Sequence, residues 1–131
     1  QDSNKTVAQK KKALREYRAE VLTKMMDQKV QESLIRIYIE TKGYDPKDVT
    51  NVLFRLLEKG YSEALILEMV DVYGVNPKET MISLERYQKG RGVLYALINR
   101  EVSMEVIQHA IDEWGLDPKK VFEKNNNEYK Y

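Results

Sequence analysis

Apolar residues recur along this chain in groups of four, and the groups form two sets of three. Within each group the apolar positions fall at offsets 0, +1, +4 and +5, which places four side chains on one stripe of an α-helix. The first set comprises Val21, Leu22, Met25 and Met26, then Val52, Leu53, Leu56 and Leu57, then Val93, Leu94, Leu97 and Ile98. The second set comprises Leu34, Ile35, Tyr38 and Ile39, then Leu65, Ile66, Met69 and Val70, then Val106, Ile107, Ala110 and Ile111. Each first-set group precedes a second-set group across a short break, which predicts three hairpins of two facing helices.

The end of each predicted second helix carries the same short signal. A glycine is followed by an apolar residue, Asp or Asn, and Pro-Lys, at Gly43–Lys47, Gly74–Lys78 and Gly115–Lys119. Glycine accepts the left-handed conformation that terminates a helix, so we expect the helices to end at or near these glycines. The residue before each proline is a natural N-cap, and proline suits the first turn of the next helix.

The break inside each hairpin is less regular. Gly60 followed by Ser62 predicts a helix end and a new helix start, and Ser103 repeats the serine without the glycine. Gln28–Gln31 carries neither signal. The first hairpin is therefore open to two interpretations, a loose turn or one long helix that runs through it.

These signals together predict one all-α domain of about seven helices over residues 1–124, with a flexible tail at 125–131. It contains three imperfect hairpin repeats at about 18–47, 49–78 and 90–121, packed as a compact bundle or a short superhelical stack. The repeat glycines are 31 and then 41 residues apart, which indicates an insertion at about 81–92. Such an insertion serves as a structural corner or as a functional loop. Helical-hairpin arrays are scaffolds that usually bind rather than catalyse.

Composition narrows the class of protein further. The chain has no cysteine, which excludes a disulfide scaffold, thiolate metal sites and thiol catalysis, and favours a reducing, cytoplasmic compartment. No apolar run approaches the roughly 18 residues of a membrane span. The first residues, Gln1–Lys5, lack the apolar core of a signal peptide, as they would in a trimmed chain as well.

Catalytic motifs are lacking, so we expect a non-enzymatic protein without cofactor or metal. The sequence has no glycine-rich phosphate cradle, no nucleophile elbow and no paired-histidine zinc helix. His109 is the only histidine, and Glu105 and Glu113 lie one turn to either side of it. One histidine with two surface carboxylates binds a metal weakly, so ion-paired surface decoration is the better interpretation.

Charge is distributed unevenly and raises nucleic-acid binding as an alternative. Residues 1–60 carry thirteen Lys/Arg against nine Asp/Glu, whereas residues 61–131 carry nine against twelve. The helix-turn-helix grammar of the hairpins resembles that of DNA readers, but the second helices present Glu63, Glu68 and Asp71, which phosphate repels. A DNA-binding regulator would instead use the first hairpin and a basic N-terminal helix. The basic residues of that helix are Lys10, Lys11, Lys12, Arg15 and Arg18.

Tyrosine content favours a protein partner and is also compatible with self-association, because nine Tyr accompany only two Phe and tyrosine suits surfaces that become covered on binding. We expect the insertion to displace the third hairpin and to open a seam beside the second. The partner-binding residues predicted at this seam are Tyr87, Lys89, Arg91 and Tyr95. The leading prediction is a small regulator that acts through protein contacts.

The segment Leu56–Ser62 reads Leu-Leu-Glu-Lys-Gly-Tyr-Ser. It resembles the helical hairpins of several families, including the RecX-type recombination regulators and the ubiquitin-associated bundles. The resemblance covers the helix-turn grammar alone, and it assigns no functional residue.

Overall fold

The computed structural model describes residues 6–42, 44–78 and 92–119, and over these ranges the chain is all-α, with six helices and no strand. A short 3₁₀ helix at Pro46–Asp48 lies between α2 and α3. Residues 81–91 of the predicted insertion and the predicted tail lie outside the described residues. Among the described helices, none has the length and apolar content needed to cross a membrane. The helices are α1 Val7–Asp27, α2 Glu32–Lys42, α3 Val52–Lys59, α4 Glu63–Asp71, α5 Val93–Asn99 and α6 Met104–Asp112.

Side-chain caps fix where several helices begin. Thr6 and Gln9 form a reciprocal capping box at α1, in which each side chain accepts a hydrogen bond from the other residue's backbone N–H, at 3.1 and 2.8 Å. The hydroxyls of Ser62 and Ser103 accept from the N–H groups three residues later, at 3.2 and 3.3 Å. The two serine caps predicted from the sequence are confirmed.

The breaks inside the three helix pairs share one geometry. Lys29, Gly60 and Glu101 all have positive φ, at 56°, 80° and 61°. The N–H of the residue after each of them donates to the carbonyl five residues earlier, and the N–H of the residue itself donates to the carbonyl three earlier. This is the Schellman pattern of a helix C-terminus. The first break is therefore a defined turn and not a continuous helix, although it contains neither glycine nor serine.

The ends of the second helices also match the prediction where the structure describes them. Gly74 and Gly115 have φ of 76° and 69°, just beyond the last residues of α4 and α6. The side chains of the following Asp or Asn then accept from the backbone N–H of the lysine two residues on, each at 2.9 Å. Gly43, the third predicted helix end, lies outside the described residues.

The helix pairs lie side by side in chain order. α1 packs on α2 and α3, α3 packs on α4 and α5, and α5 packs on α6, so the α3/α4 pair lies between the other two. One continuous core runs through all three pairs, with Leu22, Phe54 and Leu97 among its fully buried side chains. Each such side chain contributes about 1.5–3 kcal/mol through its removal from water.

Candidate protein-binding surface

Neighbouring helix pairs are joined by a repeated carboxylate–serine contact. Glu32, the first residue of α2, accepts hydrogen bonds from the Ser62 backbone N–H at 2.8 Å and from the Ser62 hydroxyl at 2.7 Å. Glu63, the first residue of α4, accepts from Ser103 in the same way, at 2.8 and 2.9 Å. Burial raises the pKa of Glu32, but the hydrogen bonds from Ser62 and the charge and hydrogen bond of Arg36 together lower that pKa overall. The first pair thus caps α4 of the second pair, and the second pair caps α6 of the third.

Further polar contacts follow the same order. Arg36 of α2 donates to Glu68 of α4 at 2.8 Å. The Tyr61 hydroxyl donates to the Val30 carbonyl in the first turn, at 2.8 Å. Burial, with the nearby charges of Glu32 and Asp27, raises the pKa of Tyr61 to about 12, so this hydroxyl keeps its proton at physiological pH.

His109 takes part in such a contact between α4 and α6. Its Nε2 lies 2.9 Å from Asp71, and the Trp114 indole N–H donates to the other oxygen of the same carboxylate, also at 2.9 Å. In the described part of the chain no three His, Cys, Asp or Glu side chains converge as a metal site would require. The partner of His109 is thus Asp71 and not the glutamates predicted beside it.

Burial at aligned positions of the three pairs shows which way each apolar stripe faces. In the second pair, Val52, Leu56, Leu65 and Met69 are all 0% exposed. The aligned residues of the third pair are also buried; they are Val93, Leu97, Val106 and Ala110. In the first pair the aligned Leu34 is exposed and the aligned Val21, Met25 and Tyr38 are partly exposed, with Met25 packed against the core.

The α3/α4 pair packs on α1, and the α5/α6 pair packs on α3. The first pair has no preceding pair in the described structure, and its stripe is left uncovered. The expectation that Leu34 lies in the core is therefore wrong, because its side chain is 42% exposed. Tyr38 is partly exposed and stacks on Tyr44, with ring centroids 5.4 Å apart.

Positions that face the following pair show the reverse trend. Met26 and Leu57 are 0% and 5% exposed, whereas the aligned Ile98 of the last pair is 44% exposed. At this position the last pair is the exposed one, whereas Leu94 of the same pair is 3% exposed.

The uncovered stripe of the first pair continues onto the N-terminal half of α1. Val7, Leu14 and Tyr17 are 70%, 47% and 61% exposed. Residues seven apart on a helix lie on nearly the same side, so Val7 and Leu14 are in line with Val21. On α2, Ile37 is 51% exposed. We call this surface the end face; it comprises Val7, Leu14, Tyr17, Val21, Leu34, Ile37 and Tyr38.

The end face has an apolar residue, Ile37, at a position where the other two helix pairs carry a polar one. Glu68 and His109 hold the positions aligned with Ile37, and each contacts a charged side chain of the preceding pair. Terminal units of helical arrays normally present a polar outer surface to water. Ile37 thus leaves an apolar side chain, 51% exposed, where the other two helix pairs carry a polar contact.

Of the basic residues of α1, Lys11, Arg15 and Arg18 lie on one side of the helix at spacing i, i+4 and i+7, while Lys10 and Lys12 lie to either side of Lys11. Lys10, Lys11 and Lys12 are exposed but consecutive, so they point in three directions around the helix. Arg15 forms an ion pair with Asp48 at 2.7 Å, and the hydrogen bond from Arg15 lowers the pKa of Asp48. Arg18 is partly buried. Of the five residues predicted for nucleic acid, Arg15 thus serves to hold α1 against the 3₁₀ helix.

A groove of about 440 Å³ lies beside this ion pair, between α1 and the start of α3. Its cations are Lys12, Arg15 and Arg55, and its acids are Glu16, Glu20 and Asp48. Arg55 is engaged by Asp27 at 2.7 Å. Because the charges balance, the groove lacks the positive excess that phosphate binding requires.

The sequence-predicted partner site is described only in part. Tyr87, Lys89 and Arg91 lie outside the described residues, and Tyr95 is partly buried on α5. Tyr95 aligns with Phe54, which is fully buried. The sequence analysis did not identify the end face. Its signal in the sequence was the helical spacing of Val7, Leu14 and Tyr17, which places these apolar side chains on one side of α1.

Comparisons of the chain with protein-family models, with curated proteins and with solved structures find no match.

Proposed function

We propose that this protein is a small non-enzymatic regulator that acts through protein–protein contacts. In this proposal residues 18–47, 49–78 and 90–121 are three imperfect hairpin repeats that form a short stack. The end face of the first hairpin is the binding surface. The stack supplies a rigid support, because each hairpin is fixed to the next by both apolar packing and the Glu–Ser contacts.

The observation that carries the proposal is the burial contrast at aligned positions. Leu65 is 0% and Val106 5% exposed against a preceding helix pair, whereas the aligned Leu34 is 42% exposed. Exposed apolar area of this kind costs free energy in water, and a partner that covers it recovers about 25 cal/mol for each Å². A helix or helical hairpin fits best, because a helix pair covers the same positions elsewhere in the chain.

A second candidate function is nucleic-acid binding through α1. It is supported by the exposed Lys10, Lys11 and Lys12 on a helix that extends beyond α2. The balanced groove and the Arg15–Asp48 ion pair weigh against it, since both reduce the positive potential along the helix. Protein binding is therefore the preferred function.

Photo-crosslinking in the native host tests the proposal. Benzoylphenylalanine at Ile37 is expected to give a discrete adduct, and the same probe at Glu105 on α6, also exposed, serves as the control. Adding Leu34→Glu is expected to abolish the Ile37 adduct. Failure to form an adduct at Ile37, or identical adducts from Glu105, would contradict the proposal.

A further inference from the structure

We infer that the end face binds a helix of another protein, and that carboxylates border the apolar stripe of that helix. This inference rests on the proposed function, because it names the chemistry of the partner at the same surface. It starts from the charged residues of α1 that border the end face. Three of them, Lys10, Lys11 and Arg18, each lie one helical turn from two apolar residues of this face.

The carboxylates near the end face do not balance these cations. On α1, Glu20 borders the face but pairs with Lys24 at 3.3 Å, so its charge is offset. On α2, Glu32 binds Ser62 of the next helix pair, which leaves the exposed Glu40 as the acid beside the face. Among the described side chains, three cations thus face one carboxylate. The first turn of α1 has no acidic residue, so the positive end of its helix dipole adds to the excess.

Lys10 lies within the apolar stripe of α1 and not at its edge. Val7 is three residues before it, and Leu14 and Tyr17 are four and seven residues after it, which places all three on the same side of the helix as Lys10. The Lys10 side chain is exposed and has no ion-pair partner among the described residues. A partner that covers the stripe also covers this ammonium, and burial of a charge without a counter-charge is costly. The partner therefore has to place a carboxylate at Lys10.

This position of Lys10 favours a protein helix over an anionic membrane. Both attract cations, but insertion of the stripe into hydrocarbon would surround the Lys10 ammonium with groups that cannot pair with it. A helix with carboxylates beside its apolar residues supplies the counter-charge and the apolar cover together. Helices already pack on this chain's helices in that manner, with α3 on α1 and α5 on α3. A second copy bound through the same face would bring like charges together, which disfavours it.

Charge reversal at two neighbouring lysines tests the inference. Lys10→Glu places an acid within the stripe. Lys12→Glu is the matched control, because Lys12 is also exposed but has no end-face residue one turn away. Both changes lie near the N-terminus of α1 and alter the net charge equally. Circular dichroism establishes that the helices of each variant remain folded.

The probe is a labelled synthetic helix of about 20 residues, with a stripe of leucines and with glutamates on both sides of the stripe. A second peptide carries lysines in place of the glutamates. In fluorescence anisotropy, the full chain is expected to bind the glutamate peptide at least tenfold more tightly than the lysine peptide. Lys10→Glu is expected to remove this preference, whereas Lys12→Glu is expected to retain it.

The outcomes separate the chemistry of the partner from the proposed function. Equal binding of the two peptides, or binding of neither, overturns the acidic helix. An intact Ile37 crosslink in cells then leaves protein binding in place, whereas absence of that crosslink removes both. Equal weakening by Lys10→Glu and Lys12→Glu also overturns the inference, because net charge alone then accounts for the effect. Binding to vesicles of phosphatidylcholine and phosphatidylserine, but to neither peptide, overturns it in favour of an anionic membrane.

Discussion

Ser62 is a cap and is itself capped by Glu32. Its hydroxyl oxygen accepts from the Leu65 backbone N–H, while its hydroxyl and its own N–H donate to the Glu32 carboxylate. A helix N-terminus leaves several N–H groups without intrahelical partners, and here a neighbouring helix supplies the acceptor. The start of α4 is therefore stabilised both locally and by α2.

Removing this carboxylate is expected to destabilise the protein. Glu32→Ala leaves the partly buried N–H of Ser62 without its acceptor, and we expect the free energy of unfolding to fall by about 1–3 kcal/mol. Glu40→Ala, at an exposed position of the same helix, is the control and should change it by less than about 0.5 kcal/mol. Urea unfolding followed by circular dichroism measures both. Equal effects for the two variants would contradict the role of the Glu32–Ser62 contact.

The same carboxylate predicts acid sensitivity. The folded-state pKa of Glu32 is lowered, so the group stabilises the fold above its unfolded pKa of about 4.3 and loses that contribution as pH falls through the folded value. Glu32→Gln should therefore flatten the dependence of stability on pH below about pH 4.3. Asp48, whose pKa is lowered by Arg15, remains in this variant and leaves part of the slope. Urea midpoints measured from pH 7 to acid pH test this; an unchanged acid slope in the variant would contradict it.

Substitutions at the aligned turn residues Gly60 and Lys29, which both have positive φ, should change the free energy of unfolding in opposite directions. Gly60→Ala should lower the free energy of unfolding by about 1 kcal/mol, because alanine resists positive φ. A Cβ at this site has only the Lys29 ammonium within 4 Å, at 3.8 Å, so the penalty is conformational and not steric. Lys29→Gly should raise the free energy of unfolding by about 0.5–1 kcal/mol. Thermal unfolding of the two variants should thus move in opposite directions.

Two isoleucines distinguish the core from the end face. Ile66 is 0% exposed, and Ile66→Ala should cost about 2–5 kcal/mol through lost burial and the resulting cavity. Ile37 is 51% exposed, so Ile37→Ala should leave monomer stability within about 0.5 kcal/mol. Chemical unfolding of the purified chain gives both values. A large loss at Ile37 under these conditions would place this residue in the monomer core.

Neutralising the basic residues separates the two candidate functions. Replacing Lys10, Lys11, Lys12, Arg15 and Arg18 with glutamine should change binding of a protein partner by less than tenfold. If nucleic acid is the ligand, the same change should weaken duplex binding at least tenfold and reduce its salt dependence, since fewer counterions are released. Fluorescence anisotropy with labelled duplex at several salt concentrations measures the effect. Arg15→Gln alone controls for the lost ion pair with Asp48.

Much of the helical pattern could be predicted because it depends on local chemistry. Ser62, Ser103, Gly74 and Gly115 act at helix ends through their own side chains or backbone freedom, and the structure places them there. The turn at Lys29 could not be predicted from its own residues. Lysine disfavours positive φ, and this conformation is held by packing and by the Tyr61 hydroxyl on the Val30 carbonyl.

The candidate site was less predictable, because exposure depends on neighbours that a local pattern does not specify. Leu34 and Leu65 occupy aligned positions with the same side chain, yet only Leu65 is buried. Arg15 similarly resembled a free cation in the sequence, and its partner Asp48 lies 33 residues away. Periodicity therefore identifies a stripe but not whether a helix covers it.

The adjacent residues Ser62 and Glu63 form hydrogen bonds to different neighbours. Ser62 bonds to Glu32 of α2, and Glu63 bonds to Ser103 at the start of α6. The turn that contains these two residues is thus hydrogen-bonded to both helix pairs that lie beside the α3/α4 pair. If that turn opens, both outer pairs lose these hydrogen bonds at once. Amide hydrogen exchange should therefore be slowest in α3 and α4 and fastest toward both ends. Both outer helix pairs are therefore held by hydrogen bonds to adjacent residues, in addition to the apolar core that the three described pairs share.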